Sequence, residues 1–390
     1  MDISKLSKSP AGRTVKAPQG YWAFLPHALP PKVEYTSWLV SSLSEADRAL
    51  GALEGMGRIL PNANLLVMPY MRREAVLSSK IEGTQASLSD LFLFEAAKTE
   101  PPRASDVREV SNYVVAMRHG LKRLPDLPLS LRLIREIHEK LLSGMRGQEQ
   151  APGEFRKRQN WVGPKSCRLE DAIYVTPPVG EMQTLLDDWE KYAHQRAATP
   201  PLIQCAILHS QFESIHPFLD GNGRVGRLLI TLFLCERGHL SQPFLYLSGY
   251  LEKNRDEYYE RLQKVRESGD WNGWVEFFLR AVSNQAKDAL ECAHRILKLK
   301  QTYRDRLQKK WSSAAVLTLL DSLFLNPYVT VIGAAERMEV SYNAAQNALG
   351  KLGRLKIVKE ITGQKRNRMF CAQELLHVIE HADSLDSTVP

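Results

Sequence analysis

The stretch that most constrains this chain is residues 216–227, which read HPFLDGNGRVGR. Its twelve residues hold one imidazole, one carboxylate, one carboxamide, two guanidinium groups and three glycines. The segments at 206–215 and 228–235, on either side, have the apolar composition of buried helices. The polar stretch is therefore predicted to be a loop held between two core helices.

The glycines and arginines of this loop favour an anion-binding turn. Gly221 and Gly223 allow the backbone N–H groups to converge, and Gly226 lets a helix begin closely behind them. A helix beginning near Gly223 or Arg224 would aim its free N–H groups and its positive dipole end at the loop. Arg224 and Arg227 would then lie on one side of the first turn and could clamp phosphate oxygens. The loop is predicted to cradle phosphate.

The remaining polar residues of the loop complete a site for phosphate chemistry. Asp220 is its one carboxylate, which suits Mg²⁺ beside phosphates because this ion takes few protein ligands and several phosphate oxygens. Asn222 can donate a hydrogen bond to a phosphate oxygen. His216 is the only good general base in the stretch. We therefore expect His216 to move a proton next to a bound phosphate group.

The loop matches the signature of the Fic family, His-Pro-Phe-x-Asp-Gly-Asn-Gly-Arg-x-Gly-Arg, at every specified position. The resemblance extends over nearly the whole chain. It implies a mainly α fold, in which a Fic helical core carries a β-hairpin flap and a C-terminal winged-helix domain follows. The domains implied are an N-terminal arm with helices and an inhibitory motif at 1–104, a catalytic core at 105–295 and a winged helix-turn-helix at 310–390. A homodimer is also implied.

The activity that the resemblance implies is protein adenylyltransfer. AMP would pass from ATP to a Ser, Thr or Tyr hydroxyl of a target protein, or of the chain itself, with release of pyrophosphate. His216 would deprotonate the hydroxyl, Asp220 would bind Mg²⁺, and the arginines would hold the outer phosphates. The nucleotide contacts implied in the loop are Asp220, Gly221, Asn222, Gly223, Arg224, Val225, Gly226 and Arg227.

Two further segments resemble parts of the family's nucleotide site. Residues 161–178 are predicted to form a β-hairpin and resemble the flap, where an extended target segment pairs through its backbone. Residues 245–259 resemble the adenine side, where an aromatic ring can lie on a purine. A plain surface hairpin and core tyrosines are the alternatives. The flap candidates are Ile173, Tyr174, Val175 and Thr176, and the adenine-side candidates are Tyr258, the stronger, and Tyr250.

Residues 78–83, which read SSKIEG, resemble the family's inhibitory helix, Ser/Thr-x-x-x-Glu-Gly/Asn. The inhibitory residues implied are Ser78, Glu82 and Gly83. A Glu82 carboxylate paired with Arg227 would take the guanidinium away from the γ-phosphate and add a repelling charge. The alternative is that Glu82 is a solvated residue at the end of a helix. The resemblance thus implies an enzyme that is switched off by default.

The end of the chain has the pattern of a winged helix. Short helices are predicted at 314–325, 331–338 and 342–352, and strand-like segments follow at 356–361 and 368–371. Winged helices bind DNA, but they also mediate protein contacts and dimerisation, so both kinds of partner remain open. In a DNA-binding domain the base readers would be Asn343, Gln346 and Asn347, and the basic wing would hold Lys365, Arg366 and Arg368.

Composition limits the expected partners, metal sites and cellular environment, but it does not decide the function. The formal net charge of +8 permits a nucleic-acid partner and does not demand one. No CxxC pair occurs, which argues against a structural zinc site and fits a reducing, cytoplasmic environment. The N-terminal residues lack an apolar run, and no run of 18 apolar residues occurs, so neither a signal peptide nor a membrane span is expected. The five cysteines are Cys167, Cys205, Cys235, Cys292 and Cys371.

Two alternative functions remain. Some members of the family transfer a different phosphate-containing group or remove AMP, with the inhibitory glutamate positioning water. The intact loop favours AMP transfer, because altered positions in it would indicate another donor. The other alternative is a DNA-binding regulator in which the enzyme fold is secondary.

Overall fold

Helices make up most of the part of the chain that the structure describes. This structure, a computed structural model, describes residues 1–60, 62–97, 104–144, 151–164, 167–196, 199–309, 314–364 and 366–381. The mainly α fold predicted from the sequence is confirmed. Within these ranges, no helix has the length and apolar character needed to cross a bilayer.

The helices are α1 (Ile3–Leu6), α2 (Ser37–Ile59), α3 (Asn64–Ile81), α4 (Leu88–Ala97), α5 (Ala104–Arg123), α6 (Leu131–Leu141), α7 (Val179–His194), α8 (Pro201–Ile215), α9 (Asn222–Glu236), α10 (Ser248–Lys253), α11 (Arg255–Ser268), α12 (Trp271–Gln308), α13 (Ala314–Leu323), α14 (Val331–Met338), α15 (Tyr342–Arg354) and α16 (Gln373–Glu380). The strands are β1 (Gly12–Lys16), β2 (Trp22–Pro26), β3 (Trp161–Val162), β4 (Tyr174–Val175), β5 (Tyr328–Thr330), β6 (Lys359–Glu360) and β7 (Met369–Cys371).

The core is centred on α8 and α9. Every residue of α8 from Leu202 to Ile215 is buried, including its polar ones, so this helix is enclosed by other elements on all sides. α8 ends at His216 and α9 begins at Asn222, so the intervening residues form the predicted loop between two core helices. This placement is confirmed, and it exposes one edge of the loop while its backbone is anchored in the core.

The N-terminal segment is a β-hairpin, which corrects the extended arm suggested by its prolines. β1 and β2 pair antiparallel, with Thr14 opposite Phe24. The turn between them includes Gly20 with φ at 92°, in the left-handed region that glycine adopts readily. The Phe24 ring packs edge-on against Tyr174 of β4, with centroids 6.2 Å apart. The prolines frame the hairpin, which lies against the predicted flap.

A single long helix joins the core to the C-terminal elements. α12 begins at Trp271, where the Asp270 carboxylate caps the backbone N–H of Gly273 at 2.9 Å. Its buried stripe continues through Ile296, Leu299, Tyr303 and Leu307. The core boundary predicted at residue 295 therefore falls inside a helix, because the apolar periodicity does not stop there.

The C-terminal elements follow the predicted order, with two additions. β5 and α16 were absent from the sequence prediction, since a strand of three residues is too short to show alternation. β7 lies between β5 and β6 in one antiparallel sheet. The strand expected at 356–361 is shorter than predicted, and Lys356 before it has φ at 56°. Lys365 of the predicted basic wing lies outside the described residues.

Candidate functional site

His216 lies at the junction between α8 and the loop in a left-handed backbone conformation, with φ at 52°. Such a conformation is costly for a residue other than glycine and persists only where neighbours fix it. Its carbonyl oxygen accepts hydrogen bonds from Arg156 Nε at 3.1 Å and from Asn160 Nδ2 at 3.0 Å. Asn160 Nδ2 also donates to the Phe218 carbonyl at 2.7 Å. These side chains, whose role the sequence analysis missed, hold the turn of the loop.

Arg156 connects this turn to the predicted flap. It is buried, and its guanidinium also donates to the Pro177 carbonyl at 2.6 Å. Burial lowers the pKa of Arg156 to about 10, which still leaves it charged at neutral pH. The partners of this buried cation are backbone carbonyls on both sides of the site. No motif in the sequence marks Arg156 for this role.

The His216 ring is only 20% exposed, and its Nδ1 atom is buried. Burial lowers the pKa of His216 to about 4, and the nearby cations Arg266 and Arg156 act in the same direction. The imidazole is therefore neutral at pH 7 and able to accept a proton. This state is the one that a general base requires.

The N-terminus of α9 faces the same loop. Gly221 precedes the helix with φ at 79°, and among the described residues no side chain caps the helix. The first-turn N–H groups therefore lack intrahelical acceptors and are available to an anion. Asp220, whose side chain is 56% exposed, lies at the opening of this turn. The predicted phosphate cradle is thus geometrically present as a turn with free donors.

Arg227 is buried and bound to the segment that resembles an inhibitory helix. Its Nε donates to Ser78 Oγ at 2.9 Å, and one terminal nitrogen donates to the Ser78 carbonyl at 2.9 Å. The same nitrogen donates to Glu82 Oε1 at 2.6 Å. Glu82 therefore lies at a helix end with its side chain 36% exposed, as in the alternative, and its carboxylate is also paired with Arg227.

Glu82 ends α3, and Gly83 follows with φ at 100°, in the predicted C-terminal position. Burial by itself would raise the pKa of the Glu82 carboxyl, but the charge and hydrogen bond of Arg227 outweigh it and lower that pKa. Gly223 of the loop faces this carboxylate so closely that a Cβ atom there would collide with Glu82 Oε1. The glycine therefore leaves room for the carboxylate beside the first turn of α9.

Arg224 is also paired with a carboxylate, and this partner was missing from the sequence analysis. Its guanidinium donates to Glu109 of α5 and, at 3.4 Å, to Asp220. Glu109 accepts a further hydrogen bond from Thr84, which follows the inhibitory segment. Both arginines predicted to hold phosphates therefore hold carboxylates in this structure. No sequence motif marks Glu109, because a single acid on a helix has no distinctive neighbourhood.

A second histidine supports the loop from below. His138 stacks on Phe218 with ring centroids 3.7 Å apart and an interplanar angle of 8°. Its Nδ1 accepts from the Gly153 N–H at 2.9 Å, so Nε2 carries the proton that it donates to the Asp220 carbonyl at 3.0 Å. Burial lowers the pKa of His138 to about 4. The ring is a neutral spacer that fixes the backbone of Asp220.

Comparison with known families assigns this architecture. Residues 128–234 match the Fic/DOC family, and residues 40–122 match the Fic/DOC family N-terminal region. The chain contains a Fic domain. Its loop, the preceding α8 and the following α9 all lie within the matched range, and so does the junction that holds His216. Residues 78–83, which resemble the family's inhibitory helix, lie within the matched N-terminal region.

Curated relatives carry the name protein adenylyltransferase Fic. The protein from Aedes aegypti is 32% identical over 151 residues, which are 38% of this chain and 27% of that protein. The protein from Drosophila mojavensis is 27% identical over 248 residues, 61% of this chain and 44% of that protein. The chain thus spans less than half the length of these relatives.

Solved structures share the fold. A Fic family protein from Desulfovibrio desulfuricans superposes with a TM-score of 0.57 at 18% identity, covering 88% of this chain and 98% of its own. Fic-1 from C. elegans, solved for residues 134 to 508, superposes with a TM-score of 0.51 at 22% identity, covering 68% of this chain and 74% of its own. The likeness extends from the Fic domain to most of the chain.

The hairpin predicted at 161–178 is present as the antiparallel pair β3 and β4. Of the four flap candidates, Ile173 is 54% exposed and the other three are buried. The Tyr174 hydroxyl donates to the Ser214 carbonyl at 2.8 Å, and the Thr176 hydroxyl donates to Asn160 Oδ1 at 2.6 Å. Val175 packs with Ala23 of the N-terminal hairpin. Of the four, Ile173 is therefore the one available to a ligand, because both faces of β4 are covered by other elements.

The adenine-side candidates are placed differently from each other. Tyr258 is buried, and its hydroxyl bonds to His209 Nε2 at 2.9 Å. Its ring lies among core aromatics, so the stronger candidate has a packing role here. Tyr250 is partly buried against Phe277, with centroids 5.7 Å apart. Tyr259, which is 40% exposed, lies near Glu82 and Arg227, whose charges act on its hydroxyl. It is an aromatic residue at the site that the sequence analysis did not select.

Two loop residues proposed as phosphate contacts serve the loop itself. The Asn222 carboxamide accepts from the Phe218 N–H and donates to the Phe218 carbonyl, both at 2.8 Å. Val225 is buried, and its N–H donates to the Gly221 carbonyl at 3.0 Å. The contact of Asn222 with a phosphate stays a prediction. In this structure the Asn222 amide is bonded to the Phe218 backbone instead. The Val225 side chain faces the core.

Proposed function

We propose that this chain transfers AMP from ATP to a hydroxyl of a target protein and of itself. The observation that carries the proposal is the juxtaposition of a neutral His216 with the uncapped N-terminus of α9. Arg224 and Arg227 lie in the first turns of that helix. The names of the curated relatives support the same activity. Positioning and charge neutralisation are what nucleotidyl transfer needs most from a protein.

His216 takes the proton of the attacking Ser, Thr or Tyr hydroxyl. The hydroxyl oxygen forms a bond to the α-phosphorus of ATP, and the bond from that phosphorus to the bridging oxygen of the β-phosphate breaks. Pyrophosphate leaves with the electron pair, and AMP stays on the hydroxyl. The first-turn N–H groups of α9 and the guanidinium groups of Arg224 and Arg227 stabilise the negative charge on the phosphates.

Asp220 is the residue that fits Mg²⁺ in this arrangement. Its carboxylate is exposed at the opening of the loop, and His138 fixes its backbone. Within the described ranges, no group of three or more His, Cys, Asp or Glu could hold a metal ion. A single carboxylate together with phosphate oxygens matches the preference of Mg²⁺. The ion would neutralise phosphate charge when ATP is bound.

Glu82 inhibits the activity by occupying Arg227. A guanidinium that donates to Ser78 and Glu82 cannot also hold the γ-phosphate, and the Glu82 charge repels it. ATP that binds despite this contact is displaced from in-line geometry. The unmodified chain is therefore an enzyme that is off until the C-terminal end of α3 moves.

The target presents its hydroxyl next to the flap. β3 and β4 form a sheet of two strands only, and Trp161 and Ile173 are exposed on it. An extended target segment that pairs with an edge of this sheet is held by its backbone, so the flap accepts more than one sequence. The proposal therefore places target selection partly outside the flap.

Intact-mass spectrometry tests the transferred group. The Glu82→Gly variant is incubated with ATP and Mg²⁺, and its own mass is followed. We expect the addition of one or more AMP groups, which the additional His216→Ala substitution prevents. Addition of phosphate groups instead would favour a different donor chemistry. Loss of AMP from a pre-modified sample without any gain would favour AMP removal.

A second candidate function is DNA binding by the C-terminal elements. The strand order β5-β7-β6, together with α13, α14 and α15, supports the winged helix predicted from the sequence. Asn343, Gln346 and Asn347 of α15 are exposed, and their amides suit base edges. Residues 331–371 hold eight Lys or Arg and three Asp or Glu. This charge favours a polyanion over a protein partner.

A gel-shift titration on genomic fragments tests this second function. We expect binding at low salt that weakens as salt rises. Arg366→Ala, at an exposed position between β6 and β7, should weaken binding and reduce the salt slope by about 1. Lys8→Ala, an exposed site in the N-terminal segment, is the matched control and should leave both unchanged. Absence of binding at low salt would exclude this function.

A homodimer is part of the same proposal. Trp38 is 67% exposed and Tyr35 is 53% exposed at the beginning of α2. Aromatic side chains of this kind are enriched at protein interfaces. Light scattering should give the mass of a dimer for the unmodified chain and a smaller mass for Trp38→Ser. A monomer at all concentrations would contradict the proposal.

A further inference from the structure

A buried carboxylate lies beside the proposed base and has no part in the activity described so far. Glu213 is on the last turn of α8, three residues before His216, and is 7% exposed. Its Oε2 atom is 4.0 Å from His216 Nδ1. Neither Nδ1 of His216 nor Oε1 of Glu213 has a hydrogen-bond partner among the described residues. A buried imidazole nitrogen without a partner therefore lies beside a buried carboxylate, whose nearer atom is Oε2.

We infer that Glu213 is a positioning residue for His216: its carboxylate accepts a hydrogen bond from Nδ1–H of the imidazole and stabilises the imidazolium that forms during transfer. This inference rests on the proposed function. The 4.0 Å between Nδ1 and Oε2 has to close by about 1 Å for this hydrogen bond, and the backbone oxygen of Glu213 is the competing acceptor. With the proton on Nδ1, the lone pair of Nε2 faces the attacking hydroxyl.

Gly226 in the next helix makes room for this carboxylate. A Cβ atom at that position would collide with Glu213 Oε1, as well as approach Phe212 and His209. The two later glycines of the loop motif thus serve two carboxylates: Gly223 accommodates Glu82 and Gly226 accommodates Glu213. The first carboxylate acts on an arginine and the second on the base. The absence of a side chain at Gly226 explains how the Glu213 carboxylate fits beneath the loop.

The charges around the pair decide when Glu213 is ionised. Burial raises the pKa of the Glu213 carboxyl to about 7, Arg227 and Arg266 lower that pKa, and Glu82 raises it. Around His216, the cations Arg266 and Arg156 lower the pKa of the imidazole, whereas Glu82 and the backbone oxygen of Glu213 raise it. Tyr258 and His209 are the other titratable groups packed against Glu213.

The direction of the pH effect follows from these shifts. Above about pH 7 the Glu213 carboxylate is ionised and stabilises the imidazolium. As the pH falls through this value, the carboxyl becomes neutral and that stabilisation is lost, so kcat should fall on the acid side. Removing Glu82 lowers the pKa of Glu213, which moves this acid limb to a lower pH in the Glu82→Gly background.

The test compares Glu82→Gly with Glu82→Gly/Glu213→Gln across the neutral pH range. We expect kcat to drop about tenfold or more with KM for ATP unchanged, because the lost interaction forms only as the proton moves. The ratio of the two kcat values should shrink towards 1 on the acid side, where the side chain at position 213 is uncharged in both proteins. Glu74→Gln in the same background is the matched control, since this buried carboxyl has its pKa raised to about 7 by burial and bonds to Ser248 instead.

Two outcomes overturn the inference, and both are distinct from failure of the proposed function. Equal kcat values and equal acid limbs in the two proteins would remove Glu213 from the reaction. Nitrogen NMR of labelled histidines in the Glu82→Gly protein gives a second result that does not depend on folding of a Glu213 variant. A His216 signal, assigned by its loss in His216→Ala, with the proton on Nε2 would contradict the inference. If Glu82→Gly transfers no AMP at all, the proposed function fails instead.

Discussion

The guanidinium of Arg227 donates to the Glu82 carboxylate at 2.6 Å across 145 residues of sequence. The acceptor is at the end of α3 and the donor is in the second turn of α9, so the contact joins the N-terminal region to the Fic domain. Arg227 is nearly inaccessible, whereas the Glu82 side chain is 36% exposed. A contact with one exposed partner can be opened from outside without disturbing the buried one. The difference in exposure between Glu82 and Arg227 therefore suits a contact that is opened and closed to regulate the site.

Replacing Glu109 should strengthen ATP binding. Glu109→Gln removes the charge that occupies Arg224 and leaves an amide that can still bond to Thr84. In a His216→Ala background, which prevents turnover, calorimetry should show affinity for ATP higher by about three- to tenfold. Glu95→Gln, which breaks the pair with Arg72 at 2.8 Å, is the matched control and should leave affinity unchanged. Equal affinities for all three proteins would show that Glu109 does not compete with phosphate.

Replacing Arg156 should destabilise the protein and the loop together. Arg156→Met keeps the apolar stem but leaves the carbonyls of His216 and Pro177 without this donor. The His216 carbonyl keeps Asn160 as a donor, so only the Pro177 carbonyl is left unsatisfied, and the free energy of unfolding should fall by roughly 1–3 kcal/mol. Chemical denaturation measures it. A change below about 0.5 kcal/mol would mean that water replaces the guanidinium.

Stability should depend on pH through the buried His138. Burial lowers its pKa from 6.5 to about 4 in the folded chain. Between these values the unfolded chain binds a proton that the folded chain does not, so stability falls as the pH falls from about 6.5 towards about 4. Over this whole pH window, His138 should lower the free energy of unfolding by roughly 3 kcal/mol. His138→Gln should flatten the pH dependence in this window, as measured by denaturation at several pH values.

The control for this experiment is His27→Gln. His27 is exposed, and its side chain lies away from the core. Its replacement should leave the pH dependence as it is in the unmodified chain. If His138→Gln and His27→Gln behave alike, His138 is protonated in the folded chain and the account of the spacer beneath Asp220 is wrong.

The features that could be predicted well are those whose signal lies within one continuous stretch of residues. The loop between α8 and α9 follows from apolar segments on either side of polar residues, and Gly83 follows from the helix that it ends. Ser78 and Glu82 were found because their segment resembles a known motif. In each case the signal needs no knowledge of distant partners.

The features that were missed depend on contacts across the fold. Glu109 and Arg156 reach the loop from other helices and hairpins, and nothing around them in the sequence differs from ordinary surface residues. Tyr258 looked like a ligand for adenine, but the surrounding aromatics draw it into the core. Tyr174 faces inwards because Phe24 of the N-terminal hairpin packs against it, and Thr176 faces inwards because it bonds to Asn160. Burial of this kind depends on which elements meet, which periodicity alone does not reveal.

The central claim is that the Glu82 carboxylate keeps Arg227 from ATP, and one comparison of initial rates tests it most directly. Labelled AMP transfer is measured for the unmodified chain, Glu82→Gly and Lys80→Ala. Lys80→Ala removes the neighbouring ion pair with Glu252 at 2.8 Å and leaves the Glu82 carboxylate in place. The account predicts a rate higher by about tenfold or more for Glu82→Gly and an unchanged rate for Lys80→Ala. Equal rates for the unmodified chain and Glu82→Gly would contradict it.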